Sequence, residues 1–311
     1  MHTLVRLYEK LGVDFWWLDW QQWLESKYTQ GLSNTFWLNY AFFNDKVRQT
    51  ESLGKQAPRA MIYHRWGGIG SHRYQVGFSG DTYANWQVLS YLPYFTATAS
   101  NAGYGYWGHD IGGHMQPKGV KHTDPELYTR WVQSGVFTPI FKTHCTKSSI
   151  IERRIWQFPN HMMDMRATMH LRYALVPYIY AAARQTFDTG VSMCRPMYYS
   201  YPEHDLAYSS KEQYMFGDDL LVASIITPAD KVTGLATRKV WLPKGEKWFN
   251  MVSGKMYEGS DEEVEIHCTQ SENPYFAKGG SIIPMYPKSV RNLQQTLNSY
   301  VLTFVPGGDG E

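Results

Sequence analysis

A change of hydrophobic rhythm near residue 190 constrains this chain more than any other feature. Between residue 13 and about residue 187, short apolar runs alternate with longer helical patterns, the mark of a β/α protein with parallel strands. The runs are VDFWWLD (13–19), AMIYH (60–64), QVGFSGD (75–81), GYGYWGHD (103–110) and VFTPIF (136–141). Helices are expected over about 34–54, 83–99, 124–134 and 158–187. The last opens just after Pro159 and should kink at Pro177, which has no N–H to continue the ladder. The opening residues read as the end of an amphipathic helix with Leu4, Leu7, Tyr8 and Leu11 on one face. Past residue 190, segments such as RPMYYSY, LLVASII, RKVWLP, VEIHC and GSIIPMY are short and β-rich. Turn residues punctuate them at Gly217-Asp218 and Pro243-Lys244-Gly245, which predicts a small all-β domain of sandwich type.

Composition removes several function classes. Thirty basic and 28 acidic residues are scattered without a basic block, which argues against nucleic-acid or membrane-surface binding. No apolar run has the length of a transmembrane helix, and the first residues do not read as a signal peptide. Localisation therefore stays open. Cys145, Cys194 and Cys268 are too few and too scattered for a disulfide framework or a cysteine zinc site. Aromatic residues make up 16% of the chain, which suits either an aromatic core or a sugar site, where pyranose faces pack on ring planes.

In a β/α barrel the chemistry sits at the C-terminal ends of the strands. Those ends carry Asp19, Arg65, Asp81, Asp110 and His144, so each of the five apolar runs delivers a titratable or charged side chain, and a polar pocket is expected there. Asp19, set among Trp16, Trp17, Leu18 and Trp20, suits a carboxylate beneath a sugar ring, although a strand-end aspartate also commonly caps the next helix. Asp81 stands just before a helix and has the same two readings. Asp110 is flanked by His109 and a glycine pair that would allow a ligand to approach the backbone, and it reads equally as a structural carboxylate. Asp14 is expected inside a strand, in a buried salt bridge. His144 can donate to a hydroxyl group. No zinc-type spacing emerges among His109, His114 and His122, so no metal site is read. No lysine is expected at a strand end and no Gly-rich phosphate loop is present, which disfavours aldolase or phosphate chemistry.

The runs DFWWLDWQQ, SHRYQVGFSGDTYANW, YWGHDIGGH and RWVQSGVFTPIFKTH, followed by RPMYYSYPE and QYMFGDDLLVASI, resemble in order the motifs of glycoside hydrolase family 31. The resemblance runs from about residue 12 to about residue 287. It implies strands 4 to 8 of a (β/α)8 TIM barrel over residues 1–188 and a β-sandwich over 189–290. A linker, or the start of a further domain, would follow over 291–311. It makes Asp19 the nucleophile and Asp81 the acid/base of a retaining α-glycosidase that needs no cofactor. Arg65, Asp110 and His144 would hold sugar hydroxyls, Trp17 and Phe78 would form apolar walls, and Trp20 and His114 would lie close to the bound sugar. Two departures bear on the choice of sugar. Trp20-Gln21-Gln22 stands where many members have Met-Asn-Glu, and His114 stands where the Gly-Gly segment usually ends in Phe. The expected substrate is an α-linked glucoside. The alternatives are an α-xyloside or other α-glycoside, or carbohydrate binding without turnover. Because the first three barrel strands are not found, the chain is expected to be part of a longer enzyme and poorly soluble by itself.

Overall fold

The computed structural model describes residues 5–19, 25–54, 59–65, 68–74, 76–294 and 298–307. They fall into two units, residues 1–80 and 81–311. Among the described residues no helix is long and apolar enough to cross a membrane.

The first unit comprises α1 (Val5–Lys10), β1 (Trp16–Leu18), α2 (Asn34–Leu53), β2 (Ile62–Arg65) and β3 (Gly77–Phe78). Helix α1 does not bury the face its sequence suggested. Leu7, Tyr8 and the following Leu11 are exposed and Val5 is buried, while Leu4 lies outside the described residues. Polar anchoring decides the helix's roll: Arg6 pairs with Asp45 at 2.6 Å, Lys46 pairs with Glu9 at 2.8 Å, and Trp16 Nε1 donates to Glu9 at 3.0 Å. Helix α2 starts at Ser33, whose hydroxyl accepts from the Phe36 N–H. It ends at Gly54, whose φ of 75° is a value that glycine adopts without steric cost. Strands β1, β2 and β3 are parallel, with Trp17 opposite Tyr63 and Arg65 opposite Phe78. Asp14 corrects an expectation. It precedes β1 and is exposed, with no ion pair among the described residues, because the strand begins only at Trp16 and water solvates the segment leading into it.

The second unit opens with α3 (Trp86–Thr98), β4 (Trp107–Gly108), α4 (Pro125–Gly135), α5 (Met162–Ala174) and α6 (Val176–Thr189). The long helix expected over 158–187 is broken at Leu175, and Pro177 lies in the first turn of α6, where its missing N–H costs nothing. The run 136–141 does not form the continuous strand expected of it. Only single parallel bridges remain, Gly108 to Ile140 and Ile111 to Thr143. The reason is that its carbonyls are taken elsewhere. The buried Arg172 guanidinium donates to Val136 and Pro139 at 2.6 and 2.7 Å and also to the Thr138 carbonyl, and Pro139 has no N–H to offer a ladder.

The β-rich end follows with β5 (Cys194–Pro196), α7 (Leu206–Ser209), β6 (Tyr214–Phe216), β7 (Leu220–Val222), β8 (Ala236–Trp241), β9 (Lys247–Asn250), β10 (Met256–Glu258), β11 (Glu263–Cys268), β12 (Tyr275–Lys278), β13 (Ile282–Met285) and β14 (Val301–Phe304). Six strands make a sheet in the order β10-β9-β12-β7-β6-β5, with β8–β11 and β13–β14 as separate antiparallel pairs. Both faces of the large sheet are buried, and the period of two shows how. Tyr214, Phe216, Leu220 and Val222 pack with Phe137, Leu175 and Tyr178 of the α/β part. Met215, Leu221 and Ala223 pack the other way, with Val240, Trp241 and Trp248. The β-domain is therefore continuous with the helices before it through a shared core.

Candidate active site

In the first unit, strand register builds the site. Side chains two residues apart share a face, and parallel partners share it too, so Trp17, Tyr63, Arg65 and Phe78 lie together. Extending the register one residue past β1 sets Asp19 opposite Arg65. The contact follows: Arg65 Nε and Nη2 both donate to Asp19 Oδ1, at 3.0 and 2.9 Å. A guanidinium fork of this kind fixes the carboxylate's orientation and supplies the opposite charge. Asp19 stays 39% exposed, open to a ligand. Behind the pair the Arg65 guanidinium lies 5.1 Å from the Phe78 ring centre, and Phe78 stacks on Tyr63 at 5.2 Å. Trp17 meets both rings at about 5.5 Å and keeps 40% of its surface exposed, whereas Phe78 is buried. Trp20 lies outside the described residues. Asp19 does not cap α2, which has Ser33 for that task.

The opposite face of β2 carries His64, which sequence reasoning did not single out. It is fully buried, with Nδ1 2.8 Å from the Arg65 carbonyl and 3.1 Å from Asn39 Nδ2 of α2, and with Nε2 against the Tyr74 carbonyl. Burial pushes its pKa down, outweighing the two carbonyl contacts that would raise it. The sign of the pH effect follows. An unfolded chain takes up this proton as pH falls below about 6.5, whereas the folded one resists it, so stability is full above that value and declines below it. Thermal melts should show a lower Tm at pH 5.5 than at 7.5, and His64→Gln should flatten that slope. An unchanged slope in the variant would remove His64 from the account.

In the second unit, three segments are stitched side by side. His114 N–H and Met115 N–H donate to the Thr82 carbonyl at 2.8 and 3.1 Å, and Ala84 N–H donates back to Met115 at 2.8 Å. On the other flank Ile111 N–H reaches the Lys142 carbonyl at 3.0 Å, and Thr146 N–H reaches that of His114 at 2.8 Å. Segment 110–115 is thus held between 81–84 and 142–146. Gly113 makes this possible: its φ is +79°, and a Cβ there would run into the backbone of Ala84. The Arg153 guanidinium backs the turn by donating to the Gly112 and Gly113 carbonyls at 2.5 and 2.6 Å.

This stitching brings Asp81, Asp110, His114 and His144 together. The Asp110 side chain has no solvent exposure, and its Oδ1 pairs with Lys142 Nζ at 2.7 Å. His114 lies between two carboxylates, with Nδ1 3.5 Å from Asp110 Oδ2 and Nε2 3.8 Å from Asp81 Oδ2. The His144 ring lies 5.4 Å from that of His114. Asp81 does not cap the helix that follows it, because Asn85 does, accepting from the Val88 N–H at 2.8 Å. Lys142 is the residue the sequence reading missed. It stands one place beyond the run 136–141, where a strand-end search would have found it. His109 points away from this group. It is buried against Thr96 Oγ1 at 2.8 Å, and burial pushes its pKa down to about 3. His122 is exposed.

Residues 2–182 match the glycosyl hydrolases family 31 TIM-barrel domain, and residues 190–283 match the glycosyl hydrolase family 31 C-terminal domain. An α-xylosidase of Saccharolobus solfataricus is 27% identical over 99% of this chain and 43% of its own length. A dextranase of Flavobacterium johnsoniae, solved with glucose, superposes with a TM-score of 0.79 at 26% identity over 96% of this chain and 38% of its own. A cycloalternan-degrading enzyme of Trueperella pyogenes, solved with a covalent intermediate, gives 0.67 at 25% identity over 79% of this chain and 33% of its own. The chain therefore spans less than half the length of each. With its parallel strands, its β-sheet C-terminal part and both domain matches in order, this chain belongs to glycosyl hydrolase family 31.

Proposed function

We propose that the enzyme carrying this chain is a retaining α-glycoside hydrolase acting on α-linked glucosides, with residues 1–188 as its share of the catalytic barrel. The observation that carries the reading is the Asp19 carboxylate, partly open, clamped by the Arg65 fork at a parallel strand end beside the Trp17 ring. Double displacement needs such a carboxylate to attack the anomeric carbon while a second carboxyl group protonates the leaving oxygen. Asp19 takes the first role and Asp81 the second. Water then attacks the glycosyl-enzyme, Asp81 removes its proton, and the C1–O bond to Asp19 breaks. Both charges that develop are met by side chains of this chain, so no cofactor is required. Arg65, Asp110 and His144 hold sugar hydroxyls and Trp17, backed by Phe78, offers an apolar wall, with His114 and Trp20 as further substrate-binding residues. The Trueperella pyogenes relative solved with a covalent intermediate supports the two-step route. The Saccharolobus solfataricus α-xylosidase keeps an α-xyloside as the second reading of the substrate.

The test is to follow hydrolysis of 4-nitrophenyl α-glucoside and α-xyloside by proton NMR. The first-formed sugar should be the α anomer, with the glucoside turned over faster. A first-formed β anomer would overturn retention, and faster turnover of the xyloside would overturn the choice of glucose.

A further inference from the structure

We propose that the cleft between the C-terminal end of α3 and the turns around α7 is a second carbohydrate site, one that holds a neutral α-linked gluco-oligosaccharide away from the catalytic carboxylates. The cleft offers a volume of about 200 Å³. It lies wholly within the second unit, where Tyr94, Tyr198 and Tyr208 line it together with Asn101, Ser210 and Lys211. Helix α3 sets its distance from the chemistry. The helix starts just after segment 81–84, and Thr98 at its other end stands about 18 Å from Trp86 along the axis.

The walls have the chemistry that a sugar needs. A pyranose ring has apolar faces made by its C–H bonds and a rim of hydroxyl groups, so aromatic planes and hydrogen-bonding groups at their edges hold it together. Tyr198 and Tyr208 lie parallel, with ring centres 5.1 Å apart and planes within 8° of each other. Tyr198 covers one face of Tyr208, and yet Tyr208 stays 52% exposed. On the α3 side Tyr94 is also exposed, and Tyr91 continues the aromatic surface with its ring centre 5.8 Å away. Exposed aromatic rings gathered in one place mark a binding surface more often than rings scattered singly do.

The polar groups of the cleft complete the fit. Ser210 Oγ is buried and has no hydrogen-bond partner among the described residues, which leaves its O–H and lone pairs for a ligand hydroxyl. Asn101 donates to the Tyr198 hydroxyl at 2.7 Å and accepts from that of Tyr199 at 3.0 Å. These bonds fix its amide and still leave one N–H and one lone pair. The Lys211 ammonium lies 5.9 Å from the Tyr94 ring centre and can donate to hydroxyl or ring oxygens. Among the described residues no carboxylate lines the cleft, and Lys211 is its one ionised side chain. A neutral ligand rich in hydroxyl groups therefore fits better than a cation or a multiply charged anion. The choice of an α-linked glucose chain rests on the glycosidase reading, whereas the site itself rests on these contacts. A chain held here stays near the enzyme between catalytic events and raises the local concentration of its ends.

The test is native electrophoresis of the whole enzyme through gels containing soluble starch, in the presence of 1-deoxynojirimycin to fill the catalytic site. Starch should retard the enzyme. Tyr208→Ala should raise the apparent Kd for starch by roughly fivefold or more, the worth of one aromatic contact. Lys211→Met should weaken the retardation as well. Both variants should keep the Tm and the kcat on 4-nitrophenyl α-glucoside, which separates a lost contact from a lost fold. No retardation of the unsubstituted enzyme, as would follow if another part of the protein covered the cleft, would overturn the site. Retardation that neither variant changes would overturn it too. The two readings fail separately: retardation without hydrolysis counts against the glycosidase reading alone, and hydrolysis without retardation counts against the cleft alone.

Discussion

Asp19→Ala is expected to lower kcat on 4-nitrophenyl α-glucoside by roughly 10⁴-fold or more, equivalent to about 5 kcal/mol of lost transition-state stabilisation. Arg65, opposite Asp19, cannot take over as nucleophile, since its guanidinium carries no nucleophilic lone pair. Removing the carboxylate also opens a space that a small anion can enter. Azide or formate should therefore restore part of the rate, and the product should have the opposite anomeric configuration, because one displacement then replaces two. Asp81→Ala should behave differently. Substrates with poor leaving groups need its proton and should lose most of their rate, while activated aryl glycosides should lose far less in the first step. An Asp19→Ala enzyme that keeps more than about a tenth of its activity would end the assignment. Rescue of Asp81→Ala rather than Asp19→Ala, with inverted product, would exchange the two roles.

A large loss of stability is expected at a residue that is not among the candidate site residues. Arg130 on α4 is completely buried, and its guanidinium donates to the carbonyls of Glu272 at 2.7 Å, Thr269 at 3.0 Å and Gln270 at 3.4 Å. Gln133, one turn on, adds a bond of 2.8 Å to the Gln270 carbonyl. The loop after β11 is thus fastened to a helix of the α/β part by one cation. Burial lowers the pKa of Arg130, but a guanidinium starts so high that it stays charged. Arg130→Met keeps most of the stem's volume and leaves three half-buried carbonyls without that donor, each costing up to about 1–3 kcal/mol where water does not replace it. With partial relaxation the net loss should be about 3–5 kcal/mol, or roughly 10 °C in Tm for a unit of this size. Arg130→Lys reaches fewer carbonyls and should fall in between. A shift below about 2 °C for Arg130→Met would mean that the loop finds other donors.

Features that depend on near neighbours in the chain are legible without the fold. The alternation in VDFWWLD and AMIYHR places Trp17 with Asp19, and Tyr63 with Arg65, on common faces, and β1 and β2 pair in the register that turns those faces into one. Ser33 and Pro177 mark a helix start and a helix break because a hydroxyl cap and a missing N–H act within one turn. The ordered motifs carried the family. Features that depend on partners distant in the chain are set by folding. Segment 136–141 has the composition of a strand, yet its carbonyls go to Arg172, which no local pattern reveals. Asp19 and Asp81 read equally well as helix caps until Ser33 and Asn85 are seen to hold those positions. Leu7 and Tyr8 read as an inner face until ion pairs with α2 turned them outward. The grouping of Asp110, His114, Lys142 and His144 is the clearest case. Periodicity fixes which face a side chain takes within its own element, but backbone bonds between separate loops decide which side chains meet, and those bonds are made only when the chain has folded.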